Sequence, residues 1–241
     1  MEGRFKVLSI DFDFFQDATK DALHHYPDGV DVSSELSTLV WGKYYIPPTK
    51  DIIESVTINR LLYCQMMAIL SNLRPNIPVK IANSHKHIYD FIHEHREDKS
   101  VAVFNVDLHH DLFNDNPEID CGNWLKHLKG DLPDTNIHWI ARPVSLECYG
   151  INDKDIPVET NFEKIKDIDF DAVFLCRSDP WLPPHLDGYF DRMVELCASV
   201  FDNALAEKQV LKPRDISGII EAEQKIYDEY NEIMKRGKKE C

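Results

Sequence analysis

The sequence predicts an α/β protein of three layers (α/β/α), in which helices cover both faces of a mainly parallel β-sheet. Short apolar runs rich in β-branched residues, typical of buried strands, alternate with longer segments of helical periodicity. Strands that alternate with helices favour parallel pairing, because each crossover helix returns the chain to the same edge of the sheet. The 241 residues, 43% of them hydrophobic, suffice for the core of one α/β domain. No repeat or linker divides residues 1–241, so we expect a single domain.

Five apolar runs are the predicted strands. Each is short and contains valine or isoleucine, as strands buried in a sheet do. These runs cover residues 6–11, 79–82, 101–104, 137–140 and 170–176.

Six segments are the predicted helices. The strongest is 51–71, where isoleucine, leucine, valine and methionine form a broad apolar stripe. The others are 33–41, 88–95, 112–128 after an initial loop, 186–205 and 215–235. Two adjacent prolines make 42–49 a loop. Three further segments lie outside these elements: 16–31 is a loop or short helix over the site, 150–166 is irregular and acidic, and 236–241 is a frayed end. Residues 142–149 have no predicted element.

Composition argues against two classes of partner. The net charge is −15, from 42 acidic and 27 basic residues, which disfavours a nucleic-acid backbone and suits cations or a basic substrate. No apolar run approaches the roughly 18 residues that a membrane span needs. The six cysteines form no C-x-x-C pair, and Met1 leads into the first strand without a signal peptide. We therefore expect a cytoplasmic protein with reduced thiols, whose oligomeric state is open.

The stretch VAVFNVDLHHD, which begins at Val101, is the most informative in the chain. In an extended chain Asp107, His109 and Asp111 point the same way, because side chains alternate faces. Two carboxylates and one imidazole aimed at one point are a ligand set for a divalent metal of intermediate hardness such as Mn, Fe or Zn. The alternative is a polar loop after a strand. His110 lies between the ligand positions and is expected to point away from the metal.

A second acidic strand end strengthens the metal interpretation. Asp11 and Asp13 close the first predicted strand, again at a spacing of two. Open α/β sheets place their ligand crevice at the carboxyl ends of the strands, so the two acidic ends would meet there. Such carboxylates repel one another without a cation, and two metal ions bridged by carboxylates would resolve this. His85, at a strand–helix junction, is the expected further ligand, with His87 as its alternative.

Together these motifs resemble the metal centre of the arginase–ureohydrolase superfamily, in which one His, a D-x-H-x-D motif and a D-x-D motif bind two Mn ions. The finer resemblance is to an arginase-like family that includes peptide arginases, which convert arginine side chains of ribosomally made peptides to ornithine. The motifs that carry it, between residues 9 and 185, are IDFDFF, NSHKHIYDF, FNVDLHHDL, GNW and SDPWLPP. In ordinary arginases the D-x-D strand follows the D-x-H-x-D strand, whereas here it comes first. We therefore expect an arginase/deacetylase-like sheet with a permuted strand order.

The resemblance implies two Mn²⁺ ions, bridged by Asp11 and Asp107. The ligands would be His85, Asp107, Asp111 and Asp11 for one ion, and Asp107, His109, Asp11 and Asp13 for the other. Carboxylates outnumber imidazoles in this set, which favours Mn over Zn. A water between two cations loses its proton near neutral pH and would attack the guanidinium carbon of arginine, so that ornithine and urea leave.

Four side chains receive further expected roles. Asp13 would orient the nucleophile and pass on its proton, and His127 is either a proton shuttle or a surface residue of a helix. Asn123 follows a glycine as in a Gly-Asn pair of arginases, and would contact the substrate backbone. Asp179 would pair with the guanidinium through charge-assisted hydrogen bonds, or form a turn before Pro180.

Several other functions stay open at this point. Free arginine or agmatine-like substrates are alternatives to a peptide, although no full set of groups for an α-amino and an α-carboxylate group is identifiable. A hydrolase of acetylated amines, related to deacetylases, would need one Zn and would leave the extra acids without a role. A phosphotransferase would need small or hydroxyl residues after D-x-D, where this chain has two phenylalanines. The remaining alternative is a non-catalytic metal-binding module.

Overall fold

A sheet of six parallel strands is the centre of the computed structural model, which describes residues 3–27, 31–151, 156–203, 211 and 214–237. The strands are β1 (Phe5–Asp11), β2 (Gln16–Asp17), β3 (Thr57–Ile58), β4 (Val79–Ala82), β5 (Val101–Val106), β6 (Asn136–Ile140), β7 (Val158–Glu159) and β8 (Ala172–Cys176). The order across the main sheet is β4-β8-β1-β5-β6-β7, and each pairing in it is parallel. The short β2 and β3 form a separate antiparallel pair.

β1 lies inside the sheet, between β8 and β5. Ile10 pairs with Val106 of β5, and Asp11 pairs with Cys176 of β8. Because these strands are parallel, the acidic end of β1 and the residues that follow β5 reach the same edge of the sheet. The predicted meeting of the two acidic strand ends therefore follows directly from the strand order.

Helices surround this sheet. The α-helices are α1 (Lys20–His24), α2 (Ser34–Gly42), α3 (Lys50–Glu54), α4 (Arg60–Ser71), α5 (His87–His95), α6 (Trp124–Asp131), α7 (Pro143–Tyr149), α8 (Asp187–Val200) and α9 (Ser217–Gly237). Four short 3-10 helices cover Phe12–Phe15, Lys43–Tyr45, Phe162–Ile165 and Pro184–Leu186.

Two hydrophobic cores, one on each face of the sheet, complete the three layers. Alternate residues of β1 supply both cores, since Leu8 belongs to one and Val7 to the other. The first core contains buried side chains of α4 and α8, and the second contains those of α5 and α6. The predicted α/β architecture of three layers with a mainly parallel sheet is thus confirmed.

The predicted helix 51–71 is wrong in one respect, because it is two helices. The chain leaves α3 after Glu54, forms the short strand β3 and begins α4 at Arg60. Asn59 accepts a hydrogen bond from Leu62 N at 3.2 Å and caps α4, while Asn59 N donates to Phe15 O at 2.7 Å. The apolar stripe concealed this break, because Val56 and Ile58 are buried without being helical.

The segment 150–166 is more regular than predicted, since it contains β7 and a 3-10 helix, although 152–155 lie outside the described residues. Before it, α7 forms where no element was predicted. Pro143 occupies the first position of α7, a common place for proline at a helix start that would have indicated this helix. At the far end, α8 stops at Val200, and the predicted positions 204–205 and most of the frayed end 236–241 are not described.

Two expectations about composition can be compared with the described residues. Within them, no helix combines the length and the apolar character needed to cross a membrane. The five cysteines in this part of the chain are free, as reduced thiols should be. The sixth, Cys241, lies outside it.

Gly42 marks a close approach of two helices. A Cβ atom added to Gly42 on α2 would overlap the side chain of Ile219 on α9, whereas one added to Gly130 on α6 meets no atom within 4 Å. We expect Gly42→Ala to lower the free energy of unfolding by about 1–3 kcal/mol through overpacking. The matched control Gly130→Ala should raise it by roughly 0.5–1 kcal/mol, because alanine loses less conformational freedom in a helix. Urea unfolding measures both, and a Gly42→Ala protein as stable as the native one would contradict the packing.

Candidate metal centre

Three segments deliver the predicted metal ligands to the carboxyl edge of the sheet. β1 and the 3-10 helix after it carry two aspartates, the turn after β5 carries the D-x-H-x-D residues, and the loop after β4 carries the histidine. Each of the six side chains belongs to a residue that is 4% exposed or less: Asp11, Asp13, His85, Asp107, His109 and Asp111. The structure therefore brings all six predicted ligands together, out of contact with bulk water.

The first ligand set surrounds the Nδ1 atom of His85. This atom lies 3.2 Å from Oδ2 of Asp11, 3.2 Å from Oδ2 of Asp107 and 3.0 Å from Oδ2 of Asp111. The ligand atoms of Asp11, His85 and Asp107 lie within 4.8 Å of one another, close enough to share one metal ion. His85, and not its alternative His87 at the start of α5, reaches the cluster.

The second set adjoins the first through a shared carboxylate. His109 Nδ1 lies 3.1 Å from Oδ2 of Asp13 and 3.6 Å from Oδ1 of Asp107. The ligand atoms of these three residues also fall within 4.8 Å of one another. Asp107 thus directs Oδ2 to the first set and Oδ1 to the second, which is the arrangement of a bridging ligand.

Local backbone geometry aims these carboxylates, but not in the way predicted. β5 ends at Val106, so Asp107 to Asp111 form a turn and strand alternation does not apply to them. Asp111 enters the cluster with a φ of 53°, a left-handed conformation that is uncommon outside glycine. Asp13 likewise lies in the 3-10 helix that follows β1, where the buried rings of Phe12 and Phe14 flank it in sequence.

Hydrogen bonds from backbone N–H groups fix the orientation of three of these carboxylates. Asp11 Oδ1 accepts from Asp13 N at 3.2 Å, and Asp13 Oδ1 accepts from Leu108 N at 3.3 Å. Asp107 Oδ1 accepts from His109 N at 2.8 Å. Such partners orient a ligand and restrict its motion, which favours a preformed site.

Unpartnered buried atoms test whether a metal fits this centre. His85 Nδ1, His109 Nε2 and Asp13 Oδ2 are buried and make no hydrogen bond. His85 Nε2 lies 2.6 Å from the hydroxyl of Ser9, so donation of its proton there leaves an unprotonated Nδ1 facing three carboxylates. Buried polar atoms without partners are costly, and a divalent cation bound in each ligand set would satisfy His85 Nδ1 in the first and Asp13 Oδ2 in the second. The residues present fit a metal ion.

The charges of the cluster shift its pKa values strongly in the protein without metal. Burial, followed by the charge of Asp107, raises the pKa of Asp111 to about 8. Burial, followed by neighbouring carboxylates, also raises the pKa of Asp11 and raises that of Asp13 well above its usual range. Burial alone would lower the pKa of His85 and His109, but the adjacent carboxylates outweigh it and raise both. The cluster therefore holds protons that a metal ion would displace.

Asp107 behaves in the opposite way. Burial tends to raise the pKa of its carboxyl group, but the close contacts with the imidazoles of His109 and His85, and their positive charges, outweigh burial and lower that pKa. The bridging carboxylate is thus the acid of the cluster that stays ionised most readily, as a shared ligand requires.

A cavity of about 600 Å³ opens onto this centre. Asp11, His109 and Asp111 belong to its wall. The ring of His109 lies 4.4 Å from the ring of Tyr149 and 4.5 Å from that of Trp181, centroid to centroid. The rest of the wall comprises Asp31, Lys86, Phe113, Asn114, Asn116, Glu118, Ile119, Asp120, Cys121, Gly122 and Ser178. A mixed acidic and aromatic wall suits a planar cation.

Asn123 does not have its expected position in the substrate site. Its side chain is fully buried, accepts from Asp120 N at 2.8 Å and donates to Asn114 Oδ1 at 3.1 Å and to Glu118 O at 3.0 Å. These bonds organise the loop that forms part of the cavity wall. The expectation of a direct substrate contact is therefore corrected to a structural role.

Asp179 is not in its expected position for binding substrate either, because its carboxylate is bound by other residues of the protein. Its carboxylate accepts from Arg177 Nε at 2.5 Å and Nη2 at 3.0 Å, and from the hydroxyl of Ser34 at 2.5 Å. Its carbonyl oxygen accepts from Trp41 and Arg214. A fully buried carboxylate already paired with one guanidinium has no capacity for a second, so the expected pairing with substrate is corrected.

The remaining predicted residues lie outside the cluster. His127 Nε2 lies 3.0 Å from Asn116 O, and His127 does not belong to the cavity wall, so a role as proton shuttle is not supported. His110 stacks on Phe113 with ring centroids 4.1 Å apart, as expected for a residue that points away from the ligands. Tyr149 and Trp181 were not predicted in the site, although Trp181 belongs to the SDPWLPP motif, which could have indicated it; no motif contains Tyr149.

The shared position of Asp107 makes a prediction about metal stoichiometry. Asp107→Asn should abolish binding of both ions, whereas Asp13→Asn should remove one and leave the set around His85 intact. Elemental analysis after dialysis against Mn²⁺ measures this. Asp169→Asn is the control, since Asp169 is an exposed partner of Arg74 and should bind as the native protein does. A native metal content in Asp107→Asn would contradict the shared site.

The raised pKa values predict how metal binding depends on pH. The folded protein without metal binds more protons at Asp11, Asp13 and Asp111 than the unfolded chain, so its stability falls as pH rises from about 4 to about 8. His85 and His109 act in the same direction, since their pKa values are raised too. Metal competes with these protons, so Mn²⁺ should increase Tm more at pH 8 than at pH 6. Thermal unfolding with Mn²⁺ or with a chelator tests this, and an equal increase at both pH values would contradict it.

Comparison with known proteins gives no match: no family model, no curated protein and no solved structure matches this chain. The resemblance to arginases therefore rests on the sequence motifs alone. The evidence for function is the centre itself, two buried ligand sets that share Asp107 beside an acidic cavity.

Proposed function

We propose that this chain is a metal-dependent hydrolase of the guanidino group of arginine in a ribosomally made peptide, which releases urea and leaves ornithine. The single observation that carries the proposal is the pair of buried ligand sets joined by Asp107 at the wall of the cavity. One isolated set would serve a structural metal or a mononuclear hydrolase equally well. Two adjoining sets are typical of hydrolytic centres that use two cations.

The six ligands favour manganese as the metal. Asp11, His85, Asp107 and Asp111 would hold one ion, and Asp13 and His109 would complete the other with the shared acids. Four carboxylates and two imidazoles suit Mn²⁺, whereas Zn²⁺ in proteins favours more nitrogen and sulfur ligands. When bound, such a pair of ions supplies Lewis acidity and a water of lowered pKa as nucleophile.

Asp13 is the residue of this centre best suited to move a proton. Its Oδ2 atom is buried without a hydrogen-bond partner. A carboxylate oxygen without a partner beside the ions would accept a proton from an attacking water and return it to a leaving nitrogen. Leu108 N fixes the other oxygen, Oδ1, so the carboxylate keeps one orientation.

The cavity wall supports a cationic substrate with a planar head. Tyr149 and Trp181 offer ring faces next to His109, and a guanidinium stacks on aromatic faces more readily than an ammonium does. Five of the described wall residues are acidic, and Lys86 is the one lysine or arginine among them. A neutral acetylated amine would gain nothing from this charge.

The same wall favours peptidyl over free arginine. A free amino acid brings an α-carboxylate that needs a cationic partner. Among the described wall residues that partner could only be Lys86, which is paired with Asp31 at 2.9 Å. An arginine within a peptide has no such carboxylate, so it does not need a cationic partner in this wall.

Release of urea tests the proposal. With Mn²⁺, we expect urea from an arginine-containing peptide, with a mass loss that matches ornithine, and much less from free arginine or agmatine. Asp107→Asn should reduce the rate by more than about 100-fold, since even residues that only orient metal ligands change activity by roughly 10- to 100-fold. Asp169→Asn should keep the native rate.

Other outcomes would identify other functions. Urea from free arginine alone would make the chain an arginase of the ordinary kind. No urea from either substrate, with two Mn²⁺ bound, would contradict the guanidino proposal and favour another amide or a metal-binding module. A chain that binds no metal would contradict the metal centre itself.

A further inference from the structure

A charged pair outside the metal ligands lies in the cavity wall. Asp31 and Lys86 both line the cavity, and Lys86 Nζ lies 2.9 Å from Oδ2 of Asp31. The side chain of Asp31 is 7% exposed, whereas that of Lys86 is 38% exposed. A buried carboxylate is thus paired with a flexible and partly solvated cation.

The pairing leaves the carboxylate incompletely satisfied. Although the ammonium group is close, Asp31 Oδ2 accepts no hydrogen bond of acceptable geometry. A lysine ammonium is a compact point charge, while a guanidinium presents parallel donors in one plane and matches both oxygens of a carboxylate. Asp31 therefore has unused capacity for a planar cation.

Charge balance separates Asp31 from the other acids of the centre. The four aspartates among the metal ligands carry four negative charges, which two divalent ions would neutralise. Asp31 is not one of these ligands, so bound metals would not coordinate its carboxylate. It is consequently an acid that can still attract a cationic substrate in the loaded protein.

Other acids outside the ligand set are less suitable. Asp120 accepts from Gly122 N at 2.9 Å and holds the turn of its loop. Glu118 is exposed, so water weakens any pairing it makes. Asp179, first expected in this role, is occupied by Arg177 and Ser34. Among the described acids near the cavity, Asp31 combines burial, access to the cavity and independence from the metal ligands.

We propose that Asp31 binds the guanidinium group of the substrate arginine, and that Lys86 occupies this place until the substrate displaces it. The inference rests on the proposed function, since it identifies the residue that selects a guanidino substrate. Lys86 directly follows the ligand His85, so the displaced ammonium and the metal centre belong to one loop. Lys86 can move into solvent at small cost, because its side chain is already more than one third exposed.

Asp31 shares the cavity wall with two ligands of the first set. Asp11 and Asp111 line the same cavity as Asp31. A guanidinium at Asp31 would therefore lie in the cavity onto which that set opens.

Binding of methylguanidinium to the Mn²⁺-loaded protein tests the inference without hydrolysis of a peptide. Bound Mn²⁺ is paramagnetic and broadens the methyl proton resonance of a probe that binds beside it. We expect saturable broadening with methylguanidinium and none with the neutral analogue methylurea. Asp31→Asn should weaken methylguanidinium binding roughly 10- to 100-fold, the range for a hydrogen-bonded charge, at unchanged Mn²⁺ content and Tm.

Two further variants test the position of the charge and the displacement of Lys86. Glu118→Gln removes the same charge from an exposed position of the wall and should change the affinity by less than about twofold, as expected for a solvated charge. Lys86→Met should strengthen binding of methylguanidinium, because the competing ammonium is gone. Weaker binding in Lys86→Met would contradict displacement, and native affinity in Asp31→Asn would contradict the assignment of Asp31.

The broadening and urea-release measurements together distinguish this inference from the proposed function. Broadening that depends on Asp31, in a protein that releases no urea from any peptide, would support the guanidinium site and contradict the hydrolase. Urea release with a native KM in Asp31→Asn would support the hydrolase and contradict the guanidinium site. An increase in KM for the arginine peptide in Asp31→Asn, at native Mn²⁺ content, would support both.

Discussion

The burial of four carboxylates in one small volume is the constraint on which the rest of the structure depends. Asp11, Asp13, Asp107 and Asp111 are each 3% exposed or less. Removing such groups from water without compensation costs more than the roughly 5–15 kcal/mol of net stability that a domain has. His85, His109 and backbone N–H groups compensate part of this cost, and the atoms that stay without partners define where cations belong. A parallel sheet suits the arrangement, because its strand ends converge at one edge while two cores stabilise the rest.

The alternation of strands and helices, and the ligands at the strand ends, could be predicted because they depend on local pattern. Asp11 ends one apolar run and Asp107 follows another. Parallel pairing of the two strands then places both residues at the same edge of the sheet. The break before Arg60 could not be predicted from periodicity, because Val56 and Ile58 continue an apolar stripe while the backbone leaves the helix. Asn59 caps α4 in the structure, but an asparagine within an apolar stripe is a weak sequence signal for the start of a helix.

The roles of polar residues outside the ligand set could not be predicted, since they depend on partners distant in sequence. In the sequence Asp179 and Asn123 are both candidates for substrate contacts. In the structure Ser34 and Arg177 bind the Asp179 carboxylate, and the backbone of its own loop binds the Asn123 side chain. Asp31 belongs to no motif, and nothing in the sequence indicates that it lines the same cavity as Asp11 and Asp111. Spacing along a strand predicts which side chains converge, but only the packed structure shows which of them have hydrogen-bonding capacity left.

The strand order has a consequence for how the protein is made. β8 contributes none of the six ligands, yet it lies between β4, which leads to His85, and β1, which carries Asp11. During synthesis β1, β4 and β5 leave the ribosome well before Ala172–Cys176 of β8 does. Until β8 inserts, nothing joins β4 to the rest of the sheet. The acidic ends of β1 and β5 then lack the imidazole of His85, which lies in the loop after β4. A late strand thus completes the first ligand set, whereas the second set, from β1 and the segment after β5, does not depend on that strand.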